Sequence, residues 1–331
     1  MAQATGALTK IVGFTQPAIR QLDDPVQAEL LYLRTLDYNA TNPLEQDPTL
    51  AGGYRGQQRG ARGRVGGTGS AVVTIGTSIA FWLKHLIGEP STSGVAAPYT
   101  HTFQVGQGVN ALPAALGIER DYSDRIAVPG RYVRDTDIRI ASGAFAFSTA
   151  AATQQATFNL VGAALRTMPT TAVDATPDDF GHAAFALAGL SLLLDNGTTD
   201  VCVETLNINW DNDLDTELYC LNEGGLRHDM PEGQVLITGD GVAQFDTPAL
   251  LIKARDDADM KLQITMTRGT GAGTAGNEQL VITIPLSTIE TTSPAVTGPR
   301  GIKQNFTFIA YRPAGSEVGV TAVLKSARAT V

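Results

Sequence analysis

Apolar and polar residues alternate along most of this chain. In Lys261-Leu-Gln-Ile-Thr-Met-Thr267, the residues Leu262, Ile264 and Met266 share one face, the pattern of a half-buried strand. Comparable runs in the first half are Leu30 to Leu36, Ala71 to Ile75, His101 to Val105, Leu116 to Arg120, Asp137 to Ala141 and Ala144 to Ser148. In the second half they are Leu190 to Leu194, Val201 to Trp210, Glu217 to Leu221, Gln234 to Thr238, Leu280 to Leu286, Asn305 to Tyr311 and Val318 to Leu324. Two segments break the alternation and predict short helices. Ile79 to Ile87 has Thr77 or Ser78 as N-cap and Gly88 past its end. The second opens with Pro248 after Asp246-Thr247 and runs to about Ala254.

Each predicted helix follows a strand, which points to an internal repeat. The order strand, long loop, strand, helix, strand, strand, loop, strand, strand reads twice, at offsets of about 161 to 175 residues. Leu31 to Leu36 answers to Leu206 to Trp210, and His101 to Val105 to Leu262 to Met266. Pro129-Gly130-Arg131 falls beside Gly298-Pro299-Arg300, and Ala156 to Leu160 beside Val320 to Leu324. The expected organisation is an N-terminal arm (1–27), a first β domain (28–166, with a long loop at 38–68), a linker (167–188) and a second β domain (189–331). The linker rests on the polar stretch Thr167 to Asp179 with Pro169 and Pro177.

Composition supports a strand-rich fold: charged residues are 17%, aromatics 6%, and glycine numbers 35 of 331. The net charge of −9 argues against a duplex-binding protein, which carries a basic excess. The charge is uneven. Residues 171–260 hold 18 Asp or Glu and 3 Lys or Arg, out of 33 and 24 in the whole chain. The remainder is therefore mildly basic. No stretch approaches a membrane-spanning helix, and Met1 to Gly13 lacks the features of a signal peptide. A soluble protein made in the cytoplasm is expected.

Catalytic and metal chemistry find no motif. His85, His101, His182 and His228 are not in ligand spacing, and no GxSxG occurs. No cofactor or metal is expected. The run Gly269 to Gly276 precedes a strand, so it reads as a hairpin loop and not as a dinucleotide fingerprint. Asp211 to Asp215 lacks the Gly and Glu of a calcium loop. Cys202 and Cys220 read as small apolar residues that could face each other across one hairpin, with no bond expected in a reducing cytosol. One segment invites a partner: Arg55, Arg59, Arg62 and Arg64 lie in a Gly-rich run with a single aromatic, Tyr54. The acidic block elsewhere in the chain makes self-association the favoured use, ahead of nucleic acid. A sugar-binding or enzymatic alternative would need Trp82 or Trp210 at a concave site.

The element order resembles the tail tube (major tail) proteins of long-tailed bacteriophages, of the duplicated-domain type. The residues that carry it are Ser78-Ile-Ala-Phe-Trp-Leu-Lys-His-Leu-Ile-Gly88 followed by Tyr99 to Phe103, and, in the second half, Val281 to Leu286 and Phe306 to Ala310. The resemblance implies a mainly β fold of two tandem β-sandwich or barrel-like domains, each with a flanking helix, plus long loops and an N-terminal arm. It implies a structural virion protein, not an enzyme, that forms rings around a DNA channel. Rings of single-domain members are hexameric, so a duplicated chain implies trimers, stacked head to tail. The charge complementarity with the acidic block makes Arg55, Arg59, Arg62 and Arg64 the expected stacking contact. Tape measure, tail terminator and baseplate proteins are the implied partners. DNA passes without specific binding, and the protein resides in the virion tail. A baseplate hub, distal tail or capsid decoration protein is the alternative.

Overall fold

The computed structural model describes residues 9–23, 25–45, 61–105, 113–122, 126, 131–195, 201–291, 293–294, 301–312 and 319–331. The strands of the first half are β1 (Lys10–Gln16), β2 (Ala28–Leu30), β3 (Thr35–Thr41), β4 (Leu44–Glu45), β5 (Ala61–Arg62), β6 (Gly66–Thr74), β7 (Ser91–Ser93), β8 (Tyr99–Gln104), β9 (Ala115–Asp121), β10 (Tyr132–Ser148) and β11 (Gln155–Gly162). The second half supplies β12 (Leu190–Leu194), β13 (Val203–Asp211), β14 (Leu236–Gln244), β15 (Met260–Thr267), β16 (Gln279–Thr291), β17 (Lys303–Tyr311) and β18 (Thr321–Ser326). Helix α1 (Ile79–Ile87) follows β6, and α2 (Ala249–Arg255) follows β14. The fold is mainly β, and the ladders between the described strands are antiparallel.

One pairing order occurs twice. In the first half it is β1-β9-β10-β11-β6-β3. In the second it is β12-β15-β16-β17-β14-β13. The long strand of each set changes partners partway. Ile138 of β10 bridges Leu116 on one edge and Gly162 on the other, and Ser287 of β16 likewise bridges Met260 and Ala310. A bulge marks each change, which bends a strand out of one sheet toward another. In β10 the bulge is pinned by Asp137, buried at φ 57°. Its N–H donates to Gln16 Oε1 at 2.6 Å, and its carboxylate accepts from Gln16 Nε2 at 3.0 Å and from the Arg20 N–H at 2.7 Å.

The halves share one sheet because β10 from Ser142 to Ser148 pairs with β13 from Asp211 to Thr205. The eight strands β3-β6-β11-β10-β13-β14-β17-β16 therefore run on without a break. They also share one apolar core. Trp82 of α1 stacks on Phe158 of β11, with ring centroids 5.1 Å apart, and Trp210 of β13 is buried in the same cluster. Asn212, 2% exposed, ties the junction: its Nδ2 donates to the carbonyls of Leu86 and Ile140 at 3.1 and 3.0 Å, and its Oδ1 accepts from Trp210 Nε1 at 2.8 Å. With Trp82 and Trp210 both buried, neither offers the exposed ring a sugar site needs.

Both helices stand where the caps place them, but several strands differ from the pattern. Asp137 to Ala141 and Ala144 to Ser148 belong to one strand of 17 residues. Glu217 to Leu221 is no strand, and both cysteines are free. Residues 10–16, assigned from sequence to an arm, form β1 against β9. The repeat also aligns differently. The counterparts of β15 and β17 are β9 and β11, whereas β8 and β18 pair with each other across the halves. Apart from β9, which is buried over five consecutive residues, these strands alternate alike, so alternation cannot identify partners.

Replacing Asn212 with Ala leaves two carbonyls and an indole N–H unmatched in the core. The expected cost is about 1–3 kcal/mol, read as a lower urea midpoint with an unchanged m-value.

Candidate assembly interface

The eight-stranded sheet has two faces of different chemistry. Toward the core it presents Phe158, Phe145, Trp210, Phe306 and similar side chains. The opposite face is exposed and mostly small and polar: Thr35, Asn39 and Thr41 on β3, Thr68 on β6, Asn159 on β11, Asn209 on β13, Asn305 and Thr307 on β17. Its exposed charges are Asp37, Asp211, Asp240 and Glu290 against Lys303. Lys303 is itself paired with Glu204 at 2.5 Å. The face is therefore weakly acidic.

This sheet ends in two unpaired edges among the described residues. β3 pairs with β6 alone. The Tyr38 carbonyl on β3 accepts from Arg166 Nη2 at 2.8 Å and Arg120 Nη2 at 3.3 Å. At the other end, β15 and β17 lie on opposite edges of β16, since Ser287 bridges both. Beyond Ser287 the β15 edge carries no described strand. The corresponding edge of β10, beyond Ile138, is the one that β13 occupies.

The segment between β13 and β14 (212–235) folds over the first half as a compact arm. Gly224 and Gly225, at φ 63° and 86°, turn its tip. There the Gly225 carbonyl accepts from the Val65 N–H at 2.7 Å. Tyr219 Oη donates to the Val65 carbonyl at 3.2 Å, and the buried Arg227 donates to the Gly162 carbonyl at 2.6 Å. Arg139 of β10 holds Glu232 at 2.8 Å and Asp229 at 3.6 Å. Arg20 pairs with Glu223 and donates to the Arg227 carbonyl at 2.7 Å. The acidic residues of this arm thus meet basic residues of the first half. Burial pushes the Glu232 carboxyl up to about 7, with Arg139 opposing the rise.

Of the four arginines singled out in the sequence, Arg55 and Arg59 lie outside the described residues. Arg62 sits in β5, which pairs with β4, and donates to the Asn42 carbonyl at 2.7 Å. Arg64 pairs with Glu217 at 3.0 Å, and its guanidinium lies 4.6 Å over the Tyr219 ring. Both sets of contacts are within the chain. Folding also gathers Cys220, Glu223 and His228, with ligand-type atoms within 4.8 Å of one another. Sequence spacing gives no hint of this trio. Glu223 is already committed to Arg20 and to His228 Nδ1 at 2.6 Å, so a cation would have to displace an ion pair.

The phage tail tube protein family model matches residues 16–310. The chain belongs to that family. It is accordingly a structural protein of the phage tail and a component of the virion tail. None of the curated proteins matches the chain. No helix among the described residues is long and apolar enough to cross a membrane.

Because folding raises the Glu232 carboxyl from 4.5 to about 7, the folded protein keeps a proton that the unfolded chain has lost. Stability contributed by this group is present below about pH 4.5 and falls as pH rises toward 7, by on the order of 1–2 kcal/mol after allowing for partial solvation. Glu232→Gln is expected to flatten that part of the profile, measured as urea midpoints at pH 5 and 7.5.

Proposed function

We propose that this chain builds the tail tube by pairing its two free sheet edges between subunits, so that rings close around a channel for the genome. The observation that carries this reading is the repeated strand order with one junction filled inside the chain and its counterpart open. A barrel removes edges that otherwise invite uncontrolled association. Six copies per ring, as the family resemblance implies, correspond to three chains. Eight strands per chain then give twenty-four. At about 4.8 Å per strand, such a wall is about 37 Å across at the backbone before tilt. An eight-stranded barrel closed on one chain would be filled by its own side chains.

In this arrangement the exposed polar face lines the channel. Asp37, Asp211, Asp240 and Glu290 repel phosphates, while the Thr and Asn carpet offers no cluster of bases to grip them. DNA passes without specific binding. Head-to-tail stacking of rings is a heterologous contact, which grows as a filament, and Arg55, Arg59, Arg62 and Arg64 serve at subunit contacts within it. Tape measure, terminator and baseplate proteins bind its ends. The two halves act as tandem tube domains in this reading.

The internal junction fixes a register for the external one. Thr41 takes the place of Asp211 and Glu290 that of Ser142, so Thr41 faces Glu290, and Ala40 faces Thr291. In a Cys202→Ser, Cys220→Ser background, the pair Ala40→Cys and Thr291→Cys is expected to form interchain disulfides ending at a covalent trimer on denaturing gels. A purified protein that stays monomeric and yields no interchain bond overturns the proposal. Replacing Arg55, Arg59, Arg62 and Arg64 together with Ser is expected to slow tube growth while leaving the thermal midpoint within about 2 °C. High salt is expected to weaken growth of the unaltered tube in the same direction.

A further inference from the structure

The two arms of the repeat have the same length: β3 ends at Thr41 and β6 begins at Gly66, while β13 ends at Asp211 and β14 begins at Leu236. β6 and β14 are also equal in length, and each leads into a helix after the same interval. Residues 35–79 and 205–249 therefore correspond one to one. Along the sheet, the second arm leans toward the strands that precede it, onto the ends of β6 and β11. For the first arm (42–65), no preceding strand of its own chain is present among the described residues, because β3 is the first of the run.

No described residue occupies the counterpart of the second arm's seat. Val65 and Gly66 correspond to Val235 and Leu236, and Gly162 to Ala310. At that place lies a groove of about 650 Å³, whose walls include Leu236, Ile309 and Tyr311 at 49%, 53% and 39% exposure. Apolar side chains are thus left open at the one position where the first half is covered. Asp211 and Asp213 also line the groove. Size and charge are both exchanged between the arms to match. In the filled seat the large Tyr219 stands over Gly66; in its counterpart the wall is the larger Leu236, and the arm residue that answers to Tyr219 is the smaller Thr49. The second arm brings Asp229 and Glu232 to Arg139. At the same places the first arm carries Arg59 and Arg62, and Glu290 stands on the strand that corresponds to β10.

We infer that this groove receives the 42–65 arm of a second copy of this chain, the lateral neighbour in the same ring. The inference rests on the ring reading above and specifies what it does not: which surface the arm uses. By sequence position, Thr49, Gln57 and Arg55 answer to Tyr219, Arg227 and Gly225, whose partners in the filled seat are Gly66, Gly162 and Val65. The counterparts of those partners in the groove are Leu236, Ala310 and Val235, and Asp211, Asp213 and Glu290 supply the opposite charge for the basic arm. The arm clasps the neighbour sideways, next to the edge where β3 joins β16, and each ring contact is made twice, once by strands and once by an arm.

Paired cysteines test it. In the Cys202→Ser, Cys220→Ser background, Arg55→Cys with Val235→Cys mimics the Gly225–Val65 backbone contact. After oxidation of assembled protein, interchain bonds are expected from this pair and from Ala40→Cys with Thr291→Cys, and from neither single cysteine. Interchain bonds from the edge pair alone overturn the arm assignment and leave the ring intact. Bonds of the arm pair confined within one chain overturn it equally. Absence of assemblies and of both interchain bonds overturns the ring and the arm together. Leu236→Asp with Ile309→Asp, at exposed sites that folding does not need, is expected to raise the concentration required for assembly at least tenfold without changing the urea midpoint. An unchanged assembly threshold overturns the inference.

Discussion

Everything distinctive in this molecule depends on the ladder between β10 and β13. A strand edge holds backbone donors and acceptors that must be matched by something. Here the edge of β10 beyond Ile138 is matched by β13 from Thr205 to Asp211. That ladder makes two repeats into one sheet, brings Trp210 into the apolar cluster that α1 also enters, and positions Asn212 to cap the Leu86 carbonyl at the helix end. The same pairing logic leaves one edge of β3 and one edge of the end of β16 without a strand partner among the described residues. One edge satisfied internally, with its counterpart open among the described residues, is what the proposed ring requires.

The charge pattern acquires a meaning through this geometry. The acidic block at 171–260 is not a single face. Asp174 accepts from the Ala28 N–H at 3.2 Å in the linker. Glu217, Glu223 and Glu232 meet Arg64, Arg20 and Arg139 across the halves. Asp211 and Asp240 stand on the exposed face of the sheet. Exposed pairs such as Arg64–Glu217 add little to stability, whereas Arg139–Glu232 is nearly enclosed, its side chains 12% and 7% exposed. What the charges mainly supply is orientation, since an acidic arm fits a basic seat and a basic arm fits an acidic one.

How much of this the sequence carries differs from element to element. Helix α1 was legible because Ser78 and Gly88 bracket an apolar run too dense for a strand. The hairpin of β15 and β16 was legible because Gly269, Gly271, Gly273 and Gly276 supply positive φ between two alternating segments. The family resemblance followed from their order. Pairing was not legible: β8 and β18 alternate as β11 and β17 do, and only long-range register distinguishes them. The bulge at Asp137 depends on Gln16, 121 residues away. The arginine-rich loop was visible as charge, but its direction was not. Its charge alone suggested a contact between stacked rings, whereas the inference drawn from the docked second arm assigns it to a neighbour within one ring.

The most direct test is a cryo-EM map of the assembled tube. The account predicts threefold rings whose wall is one closed sheet of twenty-four strands, with Thr41 opposite Glu290 of the adjacent subunit and the polar face turned inward. Rings of six whole chains, or subunits in contact with β3 left unpaired, would contradict it.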